Sequence, residues 1–348
     1  MASAGLVMSE KSSMIFVHVV KHRWLLDSTG NQPKLQVSEM AVPMQAVQSD
    51  CSQLNLVANG KVLSTAPNRL GFLIPTDPGI GVGAIRRLYA ENGYVWLKGF
   101  LPRNDVIDFR GWVFGHMART GLIAKGTDPR DGIASSAAPE GKDVDRCLMS
   151  LVRSVAYEGF CAQPRMSSFM DEFLSGISYL HKRKIMRHVR PGTTTATPAH
   201  YDLVYLRGGT SRVVTAWIPI GDIPVEMGGL TYLEGSHAIG ARMEREFSER
   251  NKDLSPEERV SAYNRNMAEG GWVSKDLPDM AERFDTRWLI ADYEAGDVML
   301  HSPFMIHAST TNRDRQHRMR LSTDIRYQNV EDEIDIRWNN HWTLGDML

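Results

Sequence analysis

The chain has 348 residues, 40 of them Lys or Arg and 41 Asp or Glu. This near-neutral balance, without a long basic run, gives a nucleic acid or an acidic membrane no electrostatic purchase, so a small-molecule substrate is expected. Cys51, Cys147 and Cys161 are widely spread and form no CxxC pair, which speaks against a disulfide framework or a zinc ribbon and for reduced thiols in a cytoplasmic protein.

The apolar stretch Met14–Val20 carries His18 and runs into Lys21, His22 and Arg23, well short of the ~20 residues a membrane span needs, and no signal peptide is read there. Residues 1–66 read as an N-terminal extension packed on the core, with β-like pieces at Met14–Val19 and at Leu54–Val62 around the turn signal Asn59-Gly60. From Val82 the pattern is helical, with Ile85, Leu88 and Tyr89 on one face, followed by an extended Tyr94–Leu97. Asn104 is placed to cap a helix running through Met117, and further helical periods cover Val144–Glu158 and Ser167–Leu180. These helices are expected to buttress one sheet.

From Lys184 the texture changes to short strands separated by Gly, Pro and Asn: Lys184–Arg190, His200–Leu206, Arg212–Ile218, Gly229–Leu233, Asp297–Leu300 and Met319–Gln328. The spacing predicts a mainly β fold with flanking helices, a β-sandwich or jelly roll over 67–330, followed by a C-terminal tail, 331–348. Within it, 241–284 is richer in charge and reads as a helical insertion near the open end of the barrel, with Ser255-Pro256-Glu257-Glu258 as a helix start.

Ala199-His200-Tyr201-Asp202 sets an imidazole and a carboxylate two residues apart in an apparently extended stretch, where positions i and i+2 share a face. With one distant histidine they make a two-His, one-carboxylate set, which binds one side of Fe(II) and leaves positions open for a cosubstrate and dioxygen. Gly296-Asp297-Val298-Met299-Leu300-His301-Ser302-Pro303-Phe304-Met305-Ile306-His307 is a turn, an apolar strand and a histidine. His307 is the preferred third ligand and His301, of the same strand parity, its rival. What favours His307 is the segment Arg318–Gln328, whose alternation places Arg318, Arg320 and Ser322 on one face, an arrangement suited to gripping a carboxylate.

These residues, in this order, resemble the phytanoyl-CoA dioxygenase family of Fe(II)- and 2-oxoglutarate-dependent oxygenases, many of which tailor natural products. The likeness covers about residues 80 to 328. It is carried by Glu91-Asn92-Gly93-Tyr94-Val95, Arg190-Pro191-Gly192, His200-Tyr201-Asp202, Trp217-Ile218-Pro219-Ile220, Gly228-Gly229-Leu230 with Glu234-Gly235-Ser236-His237, Gly296-Asp297-Val298, His307-Ala308-Ser309 and the arginine-rich last strand. The resemblance implies a double-stranded β-helix of cupin-like form. In it His200, Asp202 and His307 hold iron, and an arginine on the final strand anchors the distal carboxylate of 2-oxoglutarate. The family's spacing, eleven residues past His307, points to Arg318, whereas the Arg320-Leu321-Ser322 pattern and the Asp-x-Arg-Tyr-Gln ending point to Arg320, the preferred choice. Thr197, Thr215 and Trp217 would line the cosubstrate pocket, or pack as ordinary strand residues. The implied reaction oxidises a small metabolite by hydroxylation, desaturation or ring formation, with dioxygen consumed and succinate and CO2 released.

A carboxylate at Asp202 argues against a halogenase, since related halogenases carry a small residue there. Neither a phosphate-cradling GxxxxGK[ST] nor a Gly-x-Ser-x-Gly elbow is present. His237 reads as structural. Two other functions would use the same fold: a jelly-roll binding protein without catalysis, and a Zn(II) hydrolase with the same three ligands. Tyr263, Trp272 and Trp288 are candidate lid aromatics. Trp338 and Trp342 offer a cover for the opening or a homodimer contact, with plain packing as the alternative.

Overall fold

Short apolar strands build two facing sheets, and helices pack on their outer surfaces. The computed structural model describes residues 50–137, 139–255, 258 and 272–344. The strand expected at Met14–Val19, Pro256-Glu257 of the insertion and Tyr263 lie outside the described residues.

A hairpin opens the described chain: β1 (Val57–Ala58) and β2 (Lys61–Val62) turn at Asn59 and Gly60, both at positive φ. After β3 (Leu70–Phe72) and β4 (Pro75–Thr76), α1 (Val82–Asn92) leads into β5 (Tyr94–Leu97). Four helices follow, α2 (Arg103–Met117), α3 (Gly141–Leu151), α4 (Val155–Cys161) and α5 (Pro164–Leu174). The next stretch holds β6 (Ser178–Leu180), β7 (Ile185–Val189), a single helical turn α6 (Leu203–Leu206), β8 (Val214–Pro219) and β9 (Leu230–Leu233). Then come α7 (Ser236–Arg250), α8 (Leu277–Arg283), β10 (Trp288–Ile290), β11 (Val298–His301), β12 (His307–Ser309) and β13 (Arg320–Asn329).

Some elements fall differently from the sequence pattern, each for a local reason. α2 starts one residue before Asn104, with Pro102 at the cap position, so Asn104 sits in the first turn. The run Val144–Glu158 is cut in two because the Ser154 hydroxyl accepts from the Tyr157 N–H at 3.2 Å and starts α4 afresh. The run Ser167–Leu180 ends as helix at Leu174; Ser175 is left-handed, and Ser178–Leu180 pairs with β13 instead. Val155, in apolar period with Leu148, Leu151 and Val152, is accordingly 89% exposed at the start of α4.

The larger sheet runs β4-β5-β11-β8-β13-β6, with β7 also on β13, and the smaller runs β12-β9-β10-β3. Pairing is antiparallel except β4 with β5 and β10 with β3. Period-two alternation decides which side each residue faces. Along β8, Val214, Ala216 and Ile218 join the core under α1–α5, whereas Trp217 packs between the sheets with Tyr94, Tyr232 and Tyr293. Along β13, Leu321, Ile325 and Tyr327 face the helices. The opposite face, Arg320, Ser322, Asp324, Arg326 and Gln328, therefore points inward, and all five are buried. The outer side of the smaller sheet, with Leu70, Leu233 and Trp288, packs against Phe247 of α7 and Leu277 and Met280 of α8. This is a jelly roll with flanking helices, and the helices of the first half do buttress the larger sheet.

Trp288 is 1% exposed on β10, in a core position and not in a lid, and Trp338 is equally buried against the second core, which leaves it no free face for a subunit contact. Trp342 packs on the first core. The three cysteines are free thiols. No helix among the described residues is long and apolar enough to cross a membrane.

The turn before β11 explains the Gly-Asp pair read in the sequence. Gly296 has φ +106 and passes so near the Leu101 carbonyl that a Cβ would lie 2.5 Å from its oxygen. Asp297 is fully buried and accepts from Trp96 Nε1 (3.0 Å), Lys98 Nζ (3.1 Å), Gly99 N (2.9 Å) and Glu294 N (2.9 Å). Asp297→Ala would strand the buried Trp96 N–H while Lys98 keeps Glu294 at 3.3 Å, and is expected to destabilise the fold by about 1–3 kcal/mol, measurable as a fall in the urea midpoint at unchanged slope.

His181 is tied to β13 twice, through its N–H to the Arg326 carbonyl at 3.0 Å and through Nε2 to Gln328 Oε1 at 2.8 Å. Burial pushes its imidazole from 6.5 down to about 4, and does the same to His188. The unfolded chain thus takes up two protons below about pH 6.5 that the folded chain refuses until about pH 4. Stability of the metal-free protein is expected to fall as pH drops through that window, and calorimetry across it checks the sign.

Candidate active site

The pair predicted to share a strand face does not lie on a continuous strand. His200 makes a single antiparallel bridge with His307, each N–H bonded to the other's carbonyl at 3.0 and 2.9 Å. At Asp202 the backbone has already turned helical, φ −67 and ψ −30, leading into α6. His200 and Asp202 converge because the chain bends between them, which corrects the i, i+2 argument while keeping its outcome. On the other side, the bridge Ala199↔Ser274 ties this segment to the residues just ahead of α8.

His200 Nδ1 lies 2.8 Å from the Pro198 carbonyl and His307 Nδ1 3.0 Å from that of Met305. With Nδ1–H donating to these carbonyls, both rings present the Nε2 lone pair to the interior. The two Nε2 atoms lie 3.9 and 3.8 Å from Asp202 Oδ1, which has no hydrogen-bond partner. Ligand atoms of His200, Asp202 and His307 all lie within 4.8 Å of one another, so the three can hold one ion. Burial lowers His200, and burial with the neighbouring His200 and His301 lowers His307 further, keeping both imidazoles neutral and ready to donate a lone pair. Burial alone would raise Asp202, but the Arg326 guanidinium beside it prevails and holds its carboxyl well below the usual range.

The other oxygen of Asp202 is occupied by the protein. Oδ2 accepts from the Thr215 hydroxyl and from Arg326 Nη2 at 3.1 Å, with His301 Nε2 at 3.4 Å. His301 sits behind Asp202, its Nδ1 2.9 Å from the Tyr232 hydroxyl. Thr215, expected to line the cosubstrate pocket, donates its hydroxyl to the carboxylate. Trp217 packs against Tyr293 at 4.8 Å between ring centroids. The Thr197 N–H donates to Ser309 Oγ at 3.0 Å, fixing it beside β12.

Alternation on β13 puts Arg320 and Ser322 further along the same inward face. Arg320 is 4% exposed; one nitrogen donates to the Gly228 carbonyl, its Nε has no partner, and burial pushes its guanidinium down to about 10. Ser322 Oγ is also buried without a partner. Gly228 reaches this position at φ +73, where a Cβ would lie 2.3 Å from the Thr310 carbonyl oxygen. Arg318, by contrast, is held by Asp314 at 2.7 Å and is about a third exposed.

Sequence reasoning missed Arg326. It has the parity of Arg320 and Ser322, but the count along the strand stopped at Ser322; carried four residues further it would have set a third polar side chain toward Asp202.

A jelly roll with two histidines and a carboxylate between its sheets has the arrangement of a non-haem iron oxygenase. A sequence profile of the phytanoyl-CoA dioxygenase (PhyH) family matches residues 89–320, about two thirds of the chain. The chain belongs to that family, and is a non-haem Fe(II)- and 2-oxoglutarate-dependent oxygenase. It is 28% identical over 254 residues to the 1-deoxypentalenic acid 11-beta-hydroxylase of Streptomyces exfoliatus, covering 70% of this chain and 80% of that one. The enzyme of the same name from Streptomyces arenae is 26% identical over 251 residues, with the same coverage. Among solved structures, the non-heme alpha ketoglutarate dependent carbocyclase SnoK from nogalamycin biosynthesis is similar at a TM-score of 0.48 and 19% identity, covering 75% of this chain and 89% of that one.

Proposed function

We propose that His200, Asp202 and His307 hold one Fe(II), that Arg320 and Ser322 take the distal carboxylate of 2-oxoglutarate, and that the enzyme oxidises a C–H bond of a small natural product. The observation that carries this reading is the convergence of two Nε2 lone pairs with the unpartnered Asp202 Oδ1, together with Arg320 Nε and Ser322 Oγ, buried without partners on the inward face of β13. Buried polar atoms are rarely left unsatisfied, and these two sets match a metal ion and a carboxylate.

Bound iron, with 2-oxoglutarate and dioxygen, supplies the oxidising power, and 2-oxoglutarate leaves as succinate and CO2. The protein's part is positional. The Pro198 and Met305 carbonyls fix the ring tautomers of His200 and His307. Asp202 contributes a full negative charge, kept ionised by Arg326. Arg320, anchored on Gly228, receives the cosubstrate carboxylate with charge-assisted hydrogen bonds and so sets which end faces the ligand triad. Both hydroxylase relatives are named for acting on a small acid, which favours hydroxylation over desaturation or ring formation.

The test is succinate release from metal-free protein reconstituted anaerobically with Fe(II) and 2-oxoglutarate, then exposed to air with a panel of small organic acids from natural-product pathways. Succinate that requires Fe(II) and rises with one panel member supports the reading. Hydrolysis supported by Zn(II), with no succinate, would replace it by the hydrolase reading.

A further inference from the structure

We propose that Arg326, together with Thr215, is a positioning residue that holds Asp202 through Oδ2 so that Oδ1 alone faces the metal position. This rests on the reading that His200, Asp202 and His307 bind the metal. An unrestrained carboxylate can offer both oxygens to one cation and fill two coordination positions. In this site Oδ2 is already engaged by the Thr215 hydroxyl and by Arg326 Nη2 at 3.1 Å, while Oδ1 has no partner and faces the two Nε2 atoms.

The brace is itself packed in place on several sides. Arg326 and Thr215 are direct cross-strand partners on β13 and β8. The Arg326 guanidinium lies over the Trp338 ring at 4.6 Å, its side chain is 5% exposed, and its carbonyl accepts from the His181 N–H at 3.0 Å. Trp338 is in turn fixed by its Nε1, which donates to the Tyr205 carbonyl at 3.2 Å. The C-terminal segment thereby reaches the metal position through one guanidinium.

Co(II) titration of the metal-free protein, read by its visible spectrum and followed by 2-oxoglutarate titration of the Co(II) form, tests the inference. Arg326→Met and Thr215→Val are each expected to weaken Co(II) binding by roughly 10–100-fold, with a changed band shape and weaker 2-oxoglutarate binding as Oδ2 joins the coordination. Arg326→Lys should recover part of the affinity, because it keeps the charge without the planar fork. A merely structural role would lower the melting temperature yet leave Co(II) affinity and spectrum at wild-type values, and that result overturns the inference. If Arg326→Met does not fold, Thr215→Val decides alone. If wild-type protein fails to bind Co(II), or Asp202→Ala binds it as well as wild type, the metal-site reading falls and this inference with it. If Asp202→Ala loses Co(II) while the Arg326 and Thr215 variants match wild type, only the inference falls.

Discussion

Arg320→Met is expected to weaken 2-oxoglutarate binding to the anaerobic Fe(II) protein by about 30-fold or more while leaving Fe(II) binding intact. Removing a charge-assisted, desolvated partner of a carboxylate costs about 2–5 kcal/mol, and each 1.4 kcal/mol is tenfold. The metal-free variant should be at least as stable as wild type, because an apolar chain of similar length replaces a buried guanidinium whose Nε has no partner. Arg318→Met should change cosubstrate affinity by less than about threefold, since its charge is already matched by the buried Asp314 at 2.7 Å. Titration of the visible absorption of the anaerobic complex distinguishes the two. A large loss in the Arg318 variant and a small one in the Arg320 variant would hand the role to Arg318 and restore the family's eleven-residue spacing.

The second large effect is at Asp202. Asp202→Ala is expected to abolish stoichiometric metal binding and turnover, and to destabilise the metal-free fold by about 3–5 kcal/mol, because it leaves Arg326 charged and buried without its carboxylate. Adding Arg326→Met should recover much of that stability and none of the metal, a non-additivity that chemical denaturation of the single and double variants would show. His200→Ala and His307→Ala should lose the metal as well, whereas His301→Ala should retain it, its ring standing behind the carboxylate against Tyr232. Metal lost in the His301 variant and kept in the His307 variant would exchange the two.

What the sequence showed best was chemistry concentrated in short motifs. His200 and Asp202 are two residues apart, His307 closes an apolar strand, and Arg320-x-Ser322 follows the same alternation, so the ligand and carboxylate candidates could be read without coordinates. The jelly roll was legible for the related reason that strand alternation is a local signal. Long-range packing was not. Nothing in the residues around Trp288 or Trp338 says that one sits in a sheet core and the other over Arg326, because burial of an aromatic is decided by what folds against it. The bend at Asp202 was hidden too, since residues that look extended were turned into α6 by tertiary contacts such as the Leu203 N–H to the Pro303 carbonyl at 2.9 Å. Arg326 was hidden only by how far the alternation was followed.

The inward face of β13 limits how this enzyme can change length. Every polar group from Arg320 to Gln328 shares one parity, so deleting a single residue between them would swing the downstream arginine into the greasy layer beneath the helices and push Ile325 or Tyr327 toward the reaction chamber. The exposed residues Arg315, Gln316 and His317, ahead of the strand, carry no such constraint. Divergence in this lineage is therefore expected to add or drop residues in the exposed turn at Arg315–His317 and to leave the strand's own length untouched, a pattern that a deletion scan of 315–317 and 320–328 would reveal as tolerance in the turn and collapse in the strand.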